Sequence, residues 1–304
     1  VNIFKNNTMN LRPAFITGVV VLAAIVIIQV GCEQPTTTGN NVSTLDSNSI
    51  SSSGTIKLDG QIISIPSPTQ LAILVQQSNL PFKAELLNDL NKRGLYLDEY
   101  KKSMNLGVYG ADLAYVANFQ KGQVANDYFN AVGKLAGEIE VIEHIDGKLV
   151  SRLNSNISQR DSVLKLSSQF FHSADKYLKN SQRSDLAGLI LLGGWIESIH
   201  LAMDAAAVNP EVKKRIGEQK NACQSLNALL QNITNPTLDA LKNELNDLNK
   251  LYEKLESTYT YSKPITDAKE KTTYFTSKSS VNVSVDQLAE IKAKIEKIRT
   301  IITQ

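Results

Sequence analysis

The chain has 304 residues, 42% of them apolar and 20% charged, a globular balance that excludes a disordered, collagen-like or disulfide-scaffold protein. Its formal net charge of +2 comes from Lys5 and Arg12, which precede Cys32 with no acidic residue beside them. The remainder is charge-balanced and lacks the basic footprint of a nucleic-acid binder. Two cysteines, Cys32 and Cys223, lie far apart in unlike surroundings and make neither a disulfide framework nor a cysteine zinc site.

The amino terminus carries the strongest signal. Lys5 and Arg12 lead into an apolar run from Ala14 to Ile28, then Gln29-Val30-Gly31-Cys32, the layout of an export signal. A start at Met9 rather than Val1 leaves a short Asn10-Leu11-Arg12 head before that run. The end of the run resembles the lipobox of bacterial lipoproteins, although Gln29 stands where an apolar residue is usual. That resemblance implies a signal peptide over 1–31 and a diacylglycerol thioether, with palmitate-type chains, on Cys32. The alternatives are an uncleaved membrane helix, since about 15 to 18 apolar residues sit at the lower edge of what crosses a ~30 Å core, and ordinary cleaved secretion. The expected address is the cell envelope, lipid-anchored, with the outer membrane as first choice and neither face assigned. Residues 32–54 start at the lipidated cysteine and continue in Thr, Ser, Asn, Gly and Pro. They cannot bury enough surface to offset ordering entropy and read as a tether spanning about 25 Å on random-coil scaling.

The body, 55–304, reads as one all-α domain. Asp59-Gly60 between two β-rich runs allows a small hairpin over 55–65. Ser67, Pro68 and Gln70 open a helix over 68–78, and a second is expected near 83–93, stopped by Gly94. Tyr100, Met104, Val108, Ala111, Tyr115 and Phe119 share one helical face. Val124 to Ile139 and Val163 to Tyr177 repeat the pattern, with an Asn-rich break at Asn154 to Asn156. Leu186–Ala207 is apolar around most of its circumference, which predicts a central bundle helix; Glu197, His200 and Asp204 argue against a membrane span. Asn209-Pro210 and Asn235-Pro236 start helices near 210–233 and 236–257. The last helix follows Ser284 and Gln287. Leu238 to Tyr259 and Leu288 to Ile302 keep strict three-four spacing, which predicts a C-terminal antiparallel pair over 236–304 with Leu245 and Ile295 in its seam. The Thr- and Ser-rich join, 258–283, allows a short hairpin.

Asn105-Leu106-Gly107-Val108-Tyr109-Gly110-Ala111-Asp112-Leu113, Arg160-Asp161-Ser162 and Gly193-Gly194-Trp195-Ile196-Glu197 resemble an uncharacterised family of helical lipoproteins from the Bacteroidota, over roughly residues 66 to 302. The resemblance implies a lipid-anchored helical body outside the cytoplasm. It implies no activity, ligand or catalytic residue.

Glu197-Ser198-Ile199-His200 is half of the Glu-x-x-His pattern of di-iron bundles, but Gln169 stands three before His172 and Val141 three before His144, so the second half is missing. His144, His172 and His200 are evenly spaced without ligand-type spacing. Gly107-x-x-Gly110 and Gly188 to Gly194 follow no strand and read as close helix packing rather than phosphate loops. Asp112 reads as a hydrogen-bonded polar contact and Arg160-Asp161 as a helix start. No serine, cysteine or lysine is placed beside a base. The leading expectation is therefore a non-enzymatic body with no cofactor, metal or catalytic residue, binding an envelope protein or glycan or supporting envelope architecture. The rival is an envelope enzyme assembling Asp112, Glu197 and His200 from separate helices. A glycan-binding uptake lipoprotein is a third reading, weakened by a single Trp, Trp195.

Overall fold

A computed structural model describes residues 54–58, 61–65, 68–267, 272–274 and 278–304. The signal peptide, Cys32, the tether as far as Ser53 and the Ser67 cap lie outside them, and Gly54, read as the end of the tether, belongs to β1. In chain order, β1 (Gly54–Leu58) pairs with β2 (Gln61–Ile65), the hairpin expected there. Then come α1 (Pro68–Gln77), α2 (Glu99–Asn118), α3 (Gly122–Glu138), α4 (Gly147–Ser155), α5 (Arg160–Asn180), α6 (Ser184–Val208), α7 (Pro210–Gly217), α8 (Lys220–Gln231) and α9 (Asp239–Glu253). Strands β3 (Ser257–Thr260), β4 (Ile265–Asp267), β5 (Thr272–Tyr274) and β6 (Lys278–Val281) precede α10 (Val285–Thr303). The architecture is an all-α bundle carrying short antiparallel ribbons.

Glycine spacing decides what sits at the centre. α2 and α6 cross where Gly107 faces Gly194 and Gly193 faces Met104: a Cβ on Gly107 would meet the Ile190 carbonyl and lie 2.6 Å from the Gly194 nitrogen. A Cβ on Gly193 would collide with the Met104 carbonyl. Only a missing side chain lets two backbones approach this closely, so the glycines read from the sequence as packing sites are that. α6 is long and apolar enough to cross a membrane, yet 94% of its most apolar window is buried inside the body, as a central bundle helix requires.

The C-terminal pair forms as expected. Leu245 and Ile295 are fully buried, and Lys294 pairs with Asp247 at 3.3 Å while Lys297 pairs with Glu244. Numbers rise along one helix as they fall along the other, which is antiparallel packing. The capping box at Ser284 and Gln287 starts α10. Its far end is held by α2: the Asn105 amide donates to the Ile302 carbonyl at 2.8 Å and the Lys101 ammonium to the Gln304 carbonyl at 3.1 Å, satisfying carbonyls that a helix end leaves open.

Three expectations are corrected. The single helix near 83–93 is two 3-10 turns, Ala84–Leu86 and Leu90–Leu95, separated by extended backbone at Leu87 and Asp89. Side chains of other helices take the backbone groups that an α-helix would pair internally. The helix over 210–233 breaks at Gln219, which is buried because its side chain accepts from the Trp195 indole at 3.1 Å and donates to the Arg215 carbonyl. The helix over 236–257 begins with a 3-10 turn and ends at Glu253. The hairpin expected in the join is present as two nested antiparallel ribbons, β3 with β6 outside and β4 with β5 inside.

Candidate functional site

Glu197, His200 and Asp204 stand three and four residues apart on α6 and therefore share one face. α10 presents Arg299, Glu296 and Lys292 to that face with the same steps in reverse. The result is a three-rung ladder: Glu197 with Arg299, His200 with Glu296, Asp204 with Lys292. The sign alternates from rung to rung on each helix wherever His200 is charged. Arg299 grips Glu197 with two bonds, Nε to Oε2 at 2.6 Å and Nη2 to Oε1 at 2.8 Å, the fork geometry that makes arginine–carboxylate pairs strong. His200 Nδ1 lies 2.7 Å from Glu296 Oε1 and its Nε2 lies 3.0 Å from the Leu86 carbonyl. Both neighbours are acceptors, so the doubly protonated ring satisfies both and either neutral tautomer only one.

Asp112 of α2 comes up beneath the first rung. It is fully buried, and its Oδ2 accepts from the Asn88 backbone N–H at 3.2 Å. Burial, then the neighbouring Glu197 charge, push its carboxyl well above the ordinary range, against the opposing pull of Arg299. Two carboxylates in one buried site cannot both ionise against a single guanidinium. Asp112 therefore holds its proton to higher pH than a free carboxyl, and its Oδ1 is buried without a hydrogen-bond partner. Burial pulls the Arg299 guanidinium down, but Glu197 outweighs it and the net shift is upward.

A strap, residues 83–96, closes over the cluster. The Leu86 carbonyl accepts from Arg299 Nη2 at 3.1 Å as well as from His200. The Tyr128 hydroxyl donates to the Asn88 carbonyl at 2.8 Å and the Tyr109 hydroxyl to the Asp89 carbonyl at 2.9 Å. The Lys83 N–H donates to the Tyr115 hydroxyl at 3.2 Å, and the Lys83 ammonium pairs with Asp204 at 2.6 Å. Burial pushes the phenols of Tyr96, Tyr109 and Tyr128 up, so they stay neutral donors. The gap beside the cluster, lined by Ala72, Val75, Ala111, Tyr115, Ser198 and Leu201, is too narrow for a water molecule.

The structure thus brings Asp112, Glu197 and His200 into one cluster. It does not gather the other candidates there. His144 stacks on Tyr177 with ring centres 3.8 Å apart, His172 is exposed, and among the described residues no three His, Cys, Asp or Glu side chains are grouped as metal ligands. Arg160 reaches Asn118 at 3.1 Å and Asp161 occupies the exposed first turn of α5. Cys223 is buried, which pushes its thiol up and leaves it unreactive. Sequence reasoning missed Arg299, Glu296, Asn88 and the three tyrosines. One signal was there: Lys292 and Arg299, seven apart, flank the α10 stripe at the spacing of Glu197 and Asp204. Compared with family models, with curated proteins and with solved structures, the chain matches none.

Proposed function

We infer that the chain is a bacterial envelope lipoprotein of the helical type it resembles, anchored through Cys32, whose body binds or supports another envelope component without catalysing a reaction. One observation carries the non-enzymatic half of this reading: the polar atoms of Glu197 and His200 are consumed by Arg299, Glu296 and Leu86. A catalytic acid or base needs a reacting atom within hydrogen-bond reach. Here the reachable atoms belong to the protein itself. The export signal and the charge-balanced body support the address. The enzymatic rival draws on one feature, a buried Asp112 whose carboxyl is pushed up beside Glu197, since acid–base pairs are made from carboxyls in unlike environments. The glycan variant draws on Tyr259 and Tyr261, both about two-thirds exposed at 68% and 69% and two residues apart at the β3 ribbon, where sugar rings could stack. The anchor is tested by metabolic labelling with a palmitate analogue. Cys32→Ala should abolish the label and release the protein from membranes; undiminished label in that variant contradicts the reading.

A further inference from the structure

We propose that the cleft floored by α2, α6 and α10 is a binding site for an extended polypeptide segment, and that the strap 83–96 occupies it as the chain's own stand-in. The proposal rests on the reading of the body as a binding module and names its ligand class.

The cleft grips the strap by its backbone. Arg299 and His200 hold the carbonyl of Leu86, Asp112 holds the N–H two residues on, and Tyr128 and Tyr109 hold the carbonyls of Asn88 and Asp89. Contacts to main-chain groups accept many sequences in one conformation, as in other modes of peptide recognition. The strap is held by bonds to its main chain more than by buried apolar side chains. Its only buried side chains are Asn88 and Tyr96, and Asn88 Oδ1 is buried with no partner. Leu86, Leu87 and Leu90 are half-buried against the core, and Leu95 is 62% exposed. Just ahead of the strap Asn79 turns with φ of 56°, and near its far end Gly94 has no atom within 4 Å of where a Cβ would sit. A surface segment with so few fully buried apolar side chains is the kind of unit that opens locally. The floor, by contrast, holds buried charges that an apolar core would replace at no loss of stability. A site that reads peptide groups accounts for their presence. The ligand's chemistry follows from the strap: an extended segment with one carbonyl on Arg299 and His200, an N–H two residues later on Asp112, and leucine-sized side chains along the rim.

The test uses the full-length chain in detergent and a fluorescein-labelled peptide with the sequence of residues 81–93. Lys83→Ala with Leu90→Ala weakens the strap without touching the groups that hold a backbone. Raising the open fraction raises apparent affinity in proportion, so the labelled peptide should bind this variant about tenfold more tightly than the wild type. His200→Gln in the same background should weaken that binding. In the unaltered protein, amides of 86–92 should exchange faster than those of α2 and α6. Strap amides that exchange only with global unfolding, or a folded weakened variant with no saturable binding or no gain over wild type, overturn the proposal. Such a failure with Cys32 labelling intact leaves the envelope-binding reading standing. Label retained on Cys32→Ala overturns that reading whatever the peptide does.

Discussion

α10 is held on two sides by different forces. Toward α9 it offers Leu288, Ile291, Ile295, Ile298 and Ile302 in a narrow apolar seam, with Glu244, Asp247, Lys294 and Lys297 paired at its rim. Toward α6 it offers Arg299, Glu296 and Lys292, and in the deepest rung Glu197 is fully buried while Arg299 keeps 17% of its side chain exposed. The first face holds α10 by removing hydrocarbon from water, which tolerates sliding by a turn as long as the stripe stays covered. The second resists sliding: a shift of one rung would set Glu296 against Glu197 in one direction and against Asp204 in the other. The apolar face supplies affinity between helices and the charged face fixes their register, a division seen where buried polar groups specify alignment at some cost in stability.

Breaking the charged face should cost most. Arg299→Met leaves Glu197 buried without its cation, and loss of about 3 to 5 kcal/mol is expected in urea melts. Adding Glu197→Leu to that variant should recover most of it, because an apolar pair of similar volume carries no desolvation penalty. On the apolar face, Leu245→Ala or Ile295→Ala should each cost about 2 to 4 kcal/mol through lost transfer energy and a residual cavity, with a midpoint independent of protein concentration because the seam lies within one chain.

A smaller effect separates the faces by pH. Asp112 holds its proton in the folded state to a higher pH than in the unfolded chain, whose carboxyl titrates near 3.8. Above that value the folded state binds more protons, so stability falls as pH rises toward the folded value. Asp112→Asn cannot ionise and escapes the loss. Its melts should coincide with wild type near pH 4 and exceed it as pH rises, whereas Leu245→Ala should run parallel to wild type throughout. Least affected is Lys250→Ala, outside both faces and paired only with exposed Asp247, for which a change under about 0.5 kcal/mol is expected.

The two faces also differ in how far the sequence reveals them. A three-four repeat of leucine and isoleucine is a local pattern, so the α9–α10 pair and the central α6 were readable from residue spacing, and the glycines as packing sites though not which helices they join. The polar face is a long-range pattern. Glu197 and Arg299 lie about a hundred residues apart, and nothing near either in sequence tells which partner neutralises it. Asp112, Glu197 and His200 could be named as residues that buried helices should not carry unpaired; Arg299 and the strap, which pair them, could not. The strap failed for a related reason: the stretch 83–93 has acceptable helix formers, but Arg299, His200, Asp112, Tyr128 and Tyr109 claim its backbone groups, and tertiary bonds override local propensity. The short α4, with only Leu149 and Leu153 buried, was too brief a stripe to stand out.

The division of labour on α10 is tested most directly by two double-mutant cycles measured in urea, Glu197→Gln with Arg299→Met and Glu244→Gln with Lys297→Met, whose ammonium lies on the exposed rim. The buried rung should show a coupling of about 2 to 4 kcal/mol and the rim pair under about 1. Equal couplings, or a buried rung below about 1 kcal/mol, would contradict the claim that the charged face sets the register of the bundle.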